Sequence, residues 1–117
     1  MTEYVVLFPA DNEAEWEAGT DADHQATFDA DQEFAELLKA RGGAVTGGAG
    51  LTHSSKARTI RRGPASSVLV TEGPFAETVE QLSGFYIVTC DDYDALVEAA
   101  RVLTRAHPAV EIRPVDG

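Results

Sequence analysis

Four short apolar stretches, spaced along the chain and bounded by turn residues, have the composition of β-strands. Their residues are β-branched or aromatic, or alternate between apolar and polar, which favours an extended backbone over a helix. The second stretch contains Gly47 and Gly48, which predict a bulge or a close backbone approach there. The four stretches are Tyr4–Phe8, Val45–Leu51, Phe85–Thr89 and Val110–Arg113.

Two more strands are predicted between the second and third stretches. Ala57–Arg62 and Ser67–Thr71 flank the turn residues Gly63, Pro64 and Ala65. Glycine and proline are typical of tight connections between antiparallel strands. We therefore expect an inserted β-hairpin.

Two segments have helical periodicity and plausible boundaries. The first runs from about Asp21 to Arg41, with aspartates suited to the N-cap and two glycines after it as a stop. The second runs from about Tyr93 to Ala106 and is preceded by Asp91 and Asp92. Its predicted buried stripe consists of Leu96, Ala99, Ala100 and Leu103.

The resulting order is β-α-β, a hairpin, and β-α-β, in one domain covering residues 1–117. This order predicts an α+β fold, a ferredoxin-like sheet with both helices on one face. The other face of such a sheet is left uncovered. We expect two copies to close these faces against each other, as a homodimer of the dimeric α/β-barrel type.

Composition restricts the classes of partner. The 117 residues include twenty acids against nine lysines and arginines, a formal net charge of −11. This charge repels phosphate backbones and anionic membrane surfaces, so we expect no nucleic-acid or membrane partner. The single cysteine, Cys90, cannot form an internal disulfide, and no apolar run reaches the length of a membrane helix. We expect a soluble cytoplasmic protein.

The first predicted helix carries two ionisable residues on its apolar side. At 100° per residue, His24 lies roughly 50° and Asp31 roughly 30° from the centre of the apolar stripe. A carboxylate in that position must be paired or face a cavity, because burying it alone is costly. His24 and Asp31 could line one cleft. Alternatively, His24 is half-exposed in the first turn and Asp31 pairs with Arg113.

The other two histidines suggest less chemistry. His53 lies in a polar loop and is expected to be solvated, and His107 lies at a helix C-terminus, where a positive charge suits the helix dipole. The sequence has no CxxC or HxxxH spacing and no GxGxxG or GK[ST] motif. We therefore expect no metal and no cofactor.

The segment from Thr71 to Tyr86 carries more side-chain chemistry than a connection between strands needs. A sharp turn at Gly73-Pro74 would hold the acids around it in fixed positions. Carboxylates held beside an imidazole suit general acid–base catalysis. Alternatively, the segment is structural: Glu77 and Glu80 cap a short helix and Phe75 plugs the core.

The same segment, TEGPFAETVEQLSGFY, closely resembles the signature DGPFAET-x-EQLGGFY of the YCII-related (DGPF) domain family. Two other segments, Gly47–Leu51 and Val110–Val115, are similar to the family's GGxGL and VEVRP segments. The resemblance implies a ferredoxin-like fold and a dimer. It also implies an enzymatic site with a histidine and an aspartate. Glu72 stands where the signature has its aspartate.

Family resemblance leaves the activity open. One branch of the wider family includes a dehydrochlorinase of a chlorinated hydroxyquinol, and DGPF members are often encoded beside extracytoplasmic-function sigma factors. The first hypothesis is a small-molecule enzyme of lyase or hydrolase type, in a pocket between the sheet and the first helix. The second is a non-catalytic metabolite-binding or regulatory module.

The enzyme hypothesis assigns a role to each candidate residue. His24 would be the base, oriented by Asp31 or Glu72, and Arg113 would neutralise developing negative charge. The residues expected to contact the unidentified substrate are Thr71, Phe75, Glu77, Thr78 and Arg113.

Overall fold

The computed structural model describes residues 1–117, and its centre is a four-stranded antiparallel sheet of order β3-β7-β1-β8. A β4-β5 hairpin and a short β2-β6 pair form two separate sheets. In chain order the strands are β1 (Thr2–Leu7), β2 (Asp11–Asn12), β3 (Ala44–Gly50), β4 (Arg58–Arg62), β5 (Val68–Glu72), β6 (Glu80–Gln81), β7 (Gly84–Cys90) and β8 (Glu111–Pro114). The α+β architecture and the inserted hairpin agree with the sequence prediction.

Three helices connect these strands: α1 (Glu13–Ala18), α2 (Asp21–Ala40) and α3 (Tyr93–Ala100). The N-cap of α2 is Thr20, which forms a capping box with Asp23, so the predicted aspartate caps lie one and three residues inside the helix. The second predicted helix is α-helical only to Ala100. It continues as a 3-10 segment over Arg101–Arg105, which sets the direction of the residues that follow.

The hydrophobic core lies on the helix side of the sheet. Alternate residues of β1 and β7 point to this side, so Tyr4, Val6 and Val88 are buried there. Phe34 of α2 and Leu96 of α3 pack against them in the same buried cluster. Both long helices therefore cover one face of the main sheet.

The opposite face of the sheet carries apolar residues outside the core. Val5 lies beside Ile87, and Leu7 lies beside Phe85, in the register of β1 and β7. All four are only half-buried and none belongs to the core cluster. An apolar sheet face of this kind is normally covered by another layer.

The short, separate β2-β6 pair lies near one end of β1. The chain leaves β1 through Phe8, whose N–H donates to the carbonyl of Gly84. It then pairs Asp11–Asn12 with Glu80–Gln81. This pairing fixes Asp11 close to the start of β7.

None of the helices is long and apolar enough to cross a membrane.

Candidate functional site

A cavity of about 570 Å³ opens between the β1 and β7 strand ends, α1 and α2. Its walls combine aromatic rings with carboxylates and two histidines. A volume of this size suits a small organic ligand, since ligand cavities commonly fall between roughly 300 and 1,000 Å³.

The deep wall of the cavity contains a chain of four hydrogen-bonded side chains, here called the Asp–His–Asp network and formed by Asp11, His107, Asp31 and Tyr86. The imidazole of His107 lies between the two aspartates: Nδ1 is 2.9 Å from Asp11 Oδ2, and Nε2 is 3.2 Å from Asp31 Oδ1. The Tyr86 hydroxyl donates to Asp31 Oδ2 at 2.8 Å. Asp31 therefore has one hydrogen bond on each carboxylate oxygen.

The partners of His107 decide its charge. An ionised carboxylate can only accept hydrogen bonds, so an imidazole that bonds two of them needs a proton on both nitrogens. Burial alone would lower the pKa of His107, but hydrogen bonds and charge from Asp11 and Asp31 outweigh burial and raise it to about 9. His107 is thus an imidazolium at neutral pH.

Tyr86 is held in its neutral form. Burial raises the pKa of its hydroxyl above the ordinary value, and the hydrogen bond to Asp31 with its negative charge raises it further. Tyr86 is therefore a hydrogen-bond donor to Asp31 and not a base.

The second aspartate has spare accepting capacity. Asp11 Oδ2 accepts from the Ser83 hydroxyl as well as from His107. Its other oxygen, Oδ1, is buried without a hydrogen-bond partner. Buried oxygens without a hydrogen-bond partner are uncommon in folded proteins.

Different parts of the fold bring these groups together. Asp31 lies in the middle of α2, Tyr86 in β7, and Asp11 in the short strand β2. His107 follows the 3-10 segment, and its backbone N–H donates to the backbone carbonyl of Leu103 at 2.9 Å. The ring of Phe8 stacks on the imidazole with centroids 3.8 Å apart and excludes water from that side.

The mouth of the cavity carries a second histidine among acids. Glu13 accepts hydrogen bonds from both the N–H and the hydroxyl of Ser54. Burial alone would raise the pKa of Glu13, but these bonds and the nearby His53 lower it. His53 Nε2 lies 3.8 Å from Glu13 and 3.5 Å from Glu17. His53 is therefore part of the cavity mouth and not an isolated surface residue.

The structure brings Asp31 to the cavity but not His24. Asp31 faces the sheet, as its helical position predicts, and its partners are His107 and Tyr86 instead of Arg113. His24 lies outside the cavity lining. Its Nε2 is 2.7 Å from the carbonyl oxygen of Trp16 and its ring stacks on the Trp16 indole, so it links α1 to α2.

The predicted loop residues lie away from the cavity lining. Glu72 and Thr71 are exposed at the end of β5, with Glu72 opposite Arg58 in the hairpin. The expectation that Phe75 plugs the core is wrong: it is 72% exposed, with the Arg61 guanidinium over its ring.

The segment after Gly73-Pro74 forms no helix, so the predicted capping role of Glu77 and Glu80 does not arise. Glu77 is exposed, and the Thr78 hydroxyl donates to the Glu80 carbonyl at 2.7 Å. The buried Gln81 amide donates to two carbonyls of the segment and holds it in place.

Arg113 lies on the uncovered face of the sheet, opposite Val5, and is exposed. The core and the helices lie on the other side. Arg113 is therefore not among the residues that line the cavity.

His107 follows the end of the last helical segment, as predicted, but its role is not limited to the helix terminus. His107 is 6% exposed and forms the centre of the network. The sequence contains one signal of this: His107 comes four residues after Leu103 and so continues the buried stripe of Leu96, Ala100 and Leu103. The 3-10 segment keeps it facing inward.

No cluster of three or more histidine, cysteine, aspartate or glutamate residues is arranged to hold a metal ion. In the Asp–His–Asp network, both imidazole nitrogens are used by carboxylates. The arrangement can exchange protons with a ligand and can accept hydrogen bonds from it.

Comparisons with known proteins give a family and no activity. A family model described as the YCII-related domain matches residues 2–116. An uncharacterized protein of Rhizobium meliloti (strain 1021) is 41% identical over 68 residues, which cover 56% of this chain and 54% of that protein. The match therefore spans about half the length of the curated relative.

Proposed function

The chain belongs to the YCII-related domain family, and on this premise we propose that it is a small-molecule enzyme that uses acid–base chemistry in the cavity beside α2. The observation that carries the proposal is the buried Asp–His–Asp network on the cavity wall. Perturbed ionisable groups in a cleft are characteristic of catalytic sites.

Asp31 is the proposed base. Each of its oxygens accepts one hydrogen bond, from His107 or from Tyr86, and each keeps a lone pair. These two donors fix the orientation of the carboxylate.

His107 is the proposed store of positive charge. When Asp31 removes a proton from the substrate, the imidazolium balances negative charge developing nearby. The proton on Asp31 then goes to the leaving group or returns to the product. Elimination fits this sequence, and in hydrolysis Asp31 instead takes the proton of the attacking water. Asp31 has the role of base that the sequence analysis gave to His24, and His107 has the charge-neutralising role that it gave to Arg113.

Solvent exchange tests proton abstraction from carbon, because this step leaves a deuterium label, and product formation tests hydrolysis. Mixtures of small metabolites are incubated with the protein in D₂O, and loss of a C–H signal or formation of a product is followed by NMR. We expect Asp31→Asn to slow the reaction by about 10²-fold or more, the usual contribution of general acid–base catalysis. Asp29→Asn, on the exposed side of α2, is the matched control. An Asp31→Asn variant as fast as the wild type would contradict the proposal.

A non-catalytic metabolite-binding or regulatory module is the second candidate. One observation favours it: both nitrogens of His107 are already bonded to carboxylates, which leaves no free imidazole nitrogen to act on a ligand. Ligand binding in the cavity without exchange or turnover of any bound compound would support this alternative.

The proposal includes a homodimer built like the dimeric α/β-barrel proteins. The β3-β7-β1-β8 order supports the ferredoxin-like topology on which such dimers are built. The accessible surface is 7877 Å², whereas a compact monomer of 12.5 kDa exposes about 6,200 Å². A second copy on the uncovered sheet face and hairpin would bury much of this excess, since stable interfaces bury about 800 Å² per partner.

A further inference from the structure

The cavity lining contains four carboxylates, from Asp11, Asp31, Glu13 and Glu17, and no lysine or arginine. The only basic side chains in the lining are His53 and His107. Because His107 carries one positive charge between two aspartates, the deep wall keeps an excess of one negative charge. The carboxylates of Glu13 and Glu17 add further negative charge at the cavity mouth.

Hydrogen bonding in the deep wall also selects for donors on the ligand. The lone pairs left on the Asp31 carboxylate, which lines the cavity, can accept hydrogen bonds from a ligand. The N–H groups of His107 and the Tyr86 hydroxyl are already donated to aspartates. A ligand that offers only acceptors therefore meets no free side-chain donor in the Asp–His–Asp network.

Aromatic rings surround the approach to these acids. Trp16 and Phe28 line the cavity, are 43% and 54% exposed, and lie edge to face with centroids 6.0 Å apart. Glu13, held by Ser54, and Glu17 are on the same side of the cavity mouth. Aromatic faces next to carboxylates are the usual surroundings of a bound organic cation.

We infer that the cavity takes an organic cation, a small protonated amine on an apolar body, and rejects phosphates and carboxylates. The net charge of −11 favours the approach of such a ligand over long range. The inference rests on the proposed function in one respect, that this cavity is the ligand site. It does not require that the ligand react.

The test uses Trp16, the only tryptophan of the chain, as a fluorescent reporter in the cavity wall. Three probes with similar bodies are titrated at neutral pH and moderate salt: benzylammonium, benzyl alcohol and benzoate. We expect the dissociation constant of the cation to be lower than that of benzoate by about tenfold or more, with the alcohol between them.

Two variants connect the preference to the cavity. Neutralising the mouth by the double change Glu13→Gln and Glu17→Gln is expected to weaken cation binding severalfold. Glu98→Gln, an equivalent change on the exposed part of α3, is expected to leave it unaltered. Circular dichroism verifies that each variant is folded, and Glu17→Gln alone, at a more exposed position, keeps the test valid if the Glu13 change unfolds the protein.

Any of three results would overturn the inference: benzoate binding as tightly as the cation, no quenching by the cation at millimolar concentration, or equal affinity in the mouth variant and in Glu98→Gln. The solvent-exchange experiment measures catalysis separately from ligand binding. Cation-selective binding with no solvent exchange would remove the proposed enzyme function and keep the ligand class. Solvent exchange that is lost in Asp31→Asn, in a protein that shows no cation selectivity, would keep the proposed enzyme function and remove the ligand class.

Discussion

His107 is the residue on which the candidate site depends most. Its imidazole is buried, stacked on Phe8, and bonded to Asp11 and Asp31 through both nitrogens. A single buried cation between two anions is stable only while each partner is present, because an unpaired buried charge is costly. Two measurable consequences follow at the scale of this residue.

The first consequence is an unusual titration. We expect the ring nitrogens of His107, observed by ¹⁵N NMR, to remain protonated at neutral pH and to titrate near pH 9. Asp31→Asn removes one of the two charges that stabilise the imidazolium and should lower this pKa. Tyr86→Phe is the control, since Tyr86 contacts Asp31 and not the imidazole. A His107 that titrates near 6.5 would contradict the ion-paired network.

The second consequence concerns stability. The folded-state pKa of His107, about 9, lies above the unfolded value near 6.5, so the folded state binds this proton more tightly. Its contribution, on the order of 3 kcal/mol at about 1.4 kcal/mol per pKa unit, is complete below pH 6.5 and is lost as the pH rises through 9. Urea unfolding should therefore show a decrease in the free energy of unfolding across this range.

The matching variant is His107→Gln, in which the decrease should be largely absent. Taking the difference between the two proteins removes the contributions of other titrating groups. Equal pH dependence in both proteins would show that His107 is not the group responsible.

At the scale of elements, the pairing of β3 with β7 places the Tyr86 hydroxyl within hydrogen-bond distance of Asp31 in α2. The register of β3 shifts between Val45 and Gly47, and the neighbouring Gly48 pairs with Tyr86 at a φ of +144°. A Cβ on Gly48 would lie 2.4 Å from the carbonyl oxygen of Phe85 and 2.8 Å from Tyr86 Cδ1. The glycine is required by this close approach, which is why a bulge here was predictable from the sequence.

Gly48→Ala should therefore destabilise the protein by about 1–3 kcal/mol and displace Tyr86 from Asp31. Gly50→Ala is the matched control: it lies in the same strand, has nothing within 4 Å of an added Cβ, and should change stability by less than about 0.5 kcal/mol. Thermal unfolding measures the first effect and the NMR signal of His107 the second. Two equally stable variants would contradict this account.

At the scale of the whole molecule, the chain is broad and thin. Its extents are 52 × 41 × 18 Å, and its radius of gyration is 16.3 Å, compared with about 13 Å for a compact chain of this length. The hairpin accounts for part of this shape, and one of its faces carries the exposed residues Ile60, Val68 and Val70. Apolar surface of this kind on an arm is typical of an interface.

We predict that sedimentation or light scattering will give the mass of a dimer. The change Ile60→Glu together with Val70→Glu, directly opposite each other in the hairpin, should shift the protein toward monomer, because it places charge in the interface. Both positions are exposed in the single chain, so folding should be retained. Val97→Glu, an exposed apolar residue of α3, is the control. A wild type that is monomeric at all concentrations would contradict the proposed assembly.

The sequence alone determined the order of the four main strands, the hairpin and the two helices that cover the sheet, together with the inward position of Asp31. Strand composition, turn residues and helical periodicity are local properties, so the four main strands, the hairpin and the long helix could be located from them. The family resemblance followed from the same local patterns. The position of Asp31 followed because the direction of a side chain on a helix depends only on spacing along that helix.

Only the tertiary structure decided which groups meet Asp31. His107 is 76 positions from Asp31 and 96 positions from Asp11 along the chain. Their meeting depends on the β2-β6 pair and on the change from α3 to a 3-10 segment. Glu72 and Arg113 have side chains suited to a catalytic site. Glu72, however, lies in the hairpin and Arg113 on the uncovered sheet face, so both are away from the cavity. Packing between distant segments, which has no local pattern, made His107 the centre of the site.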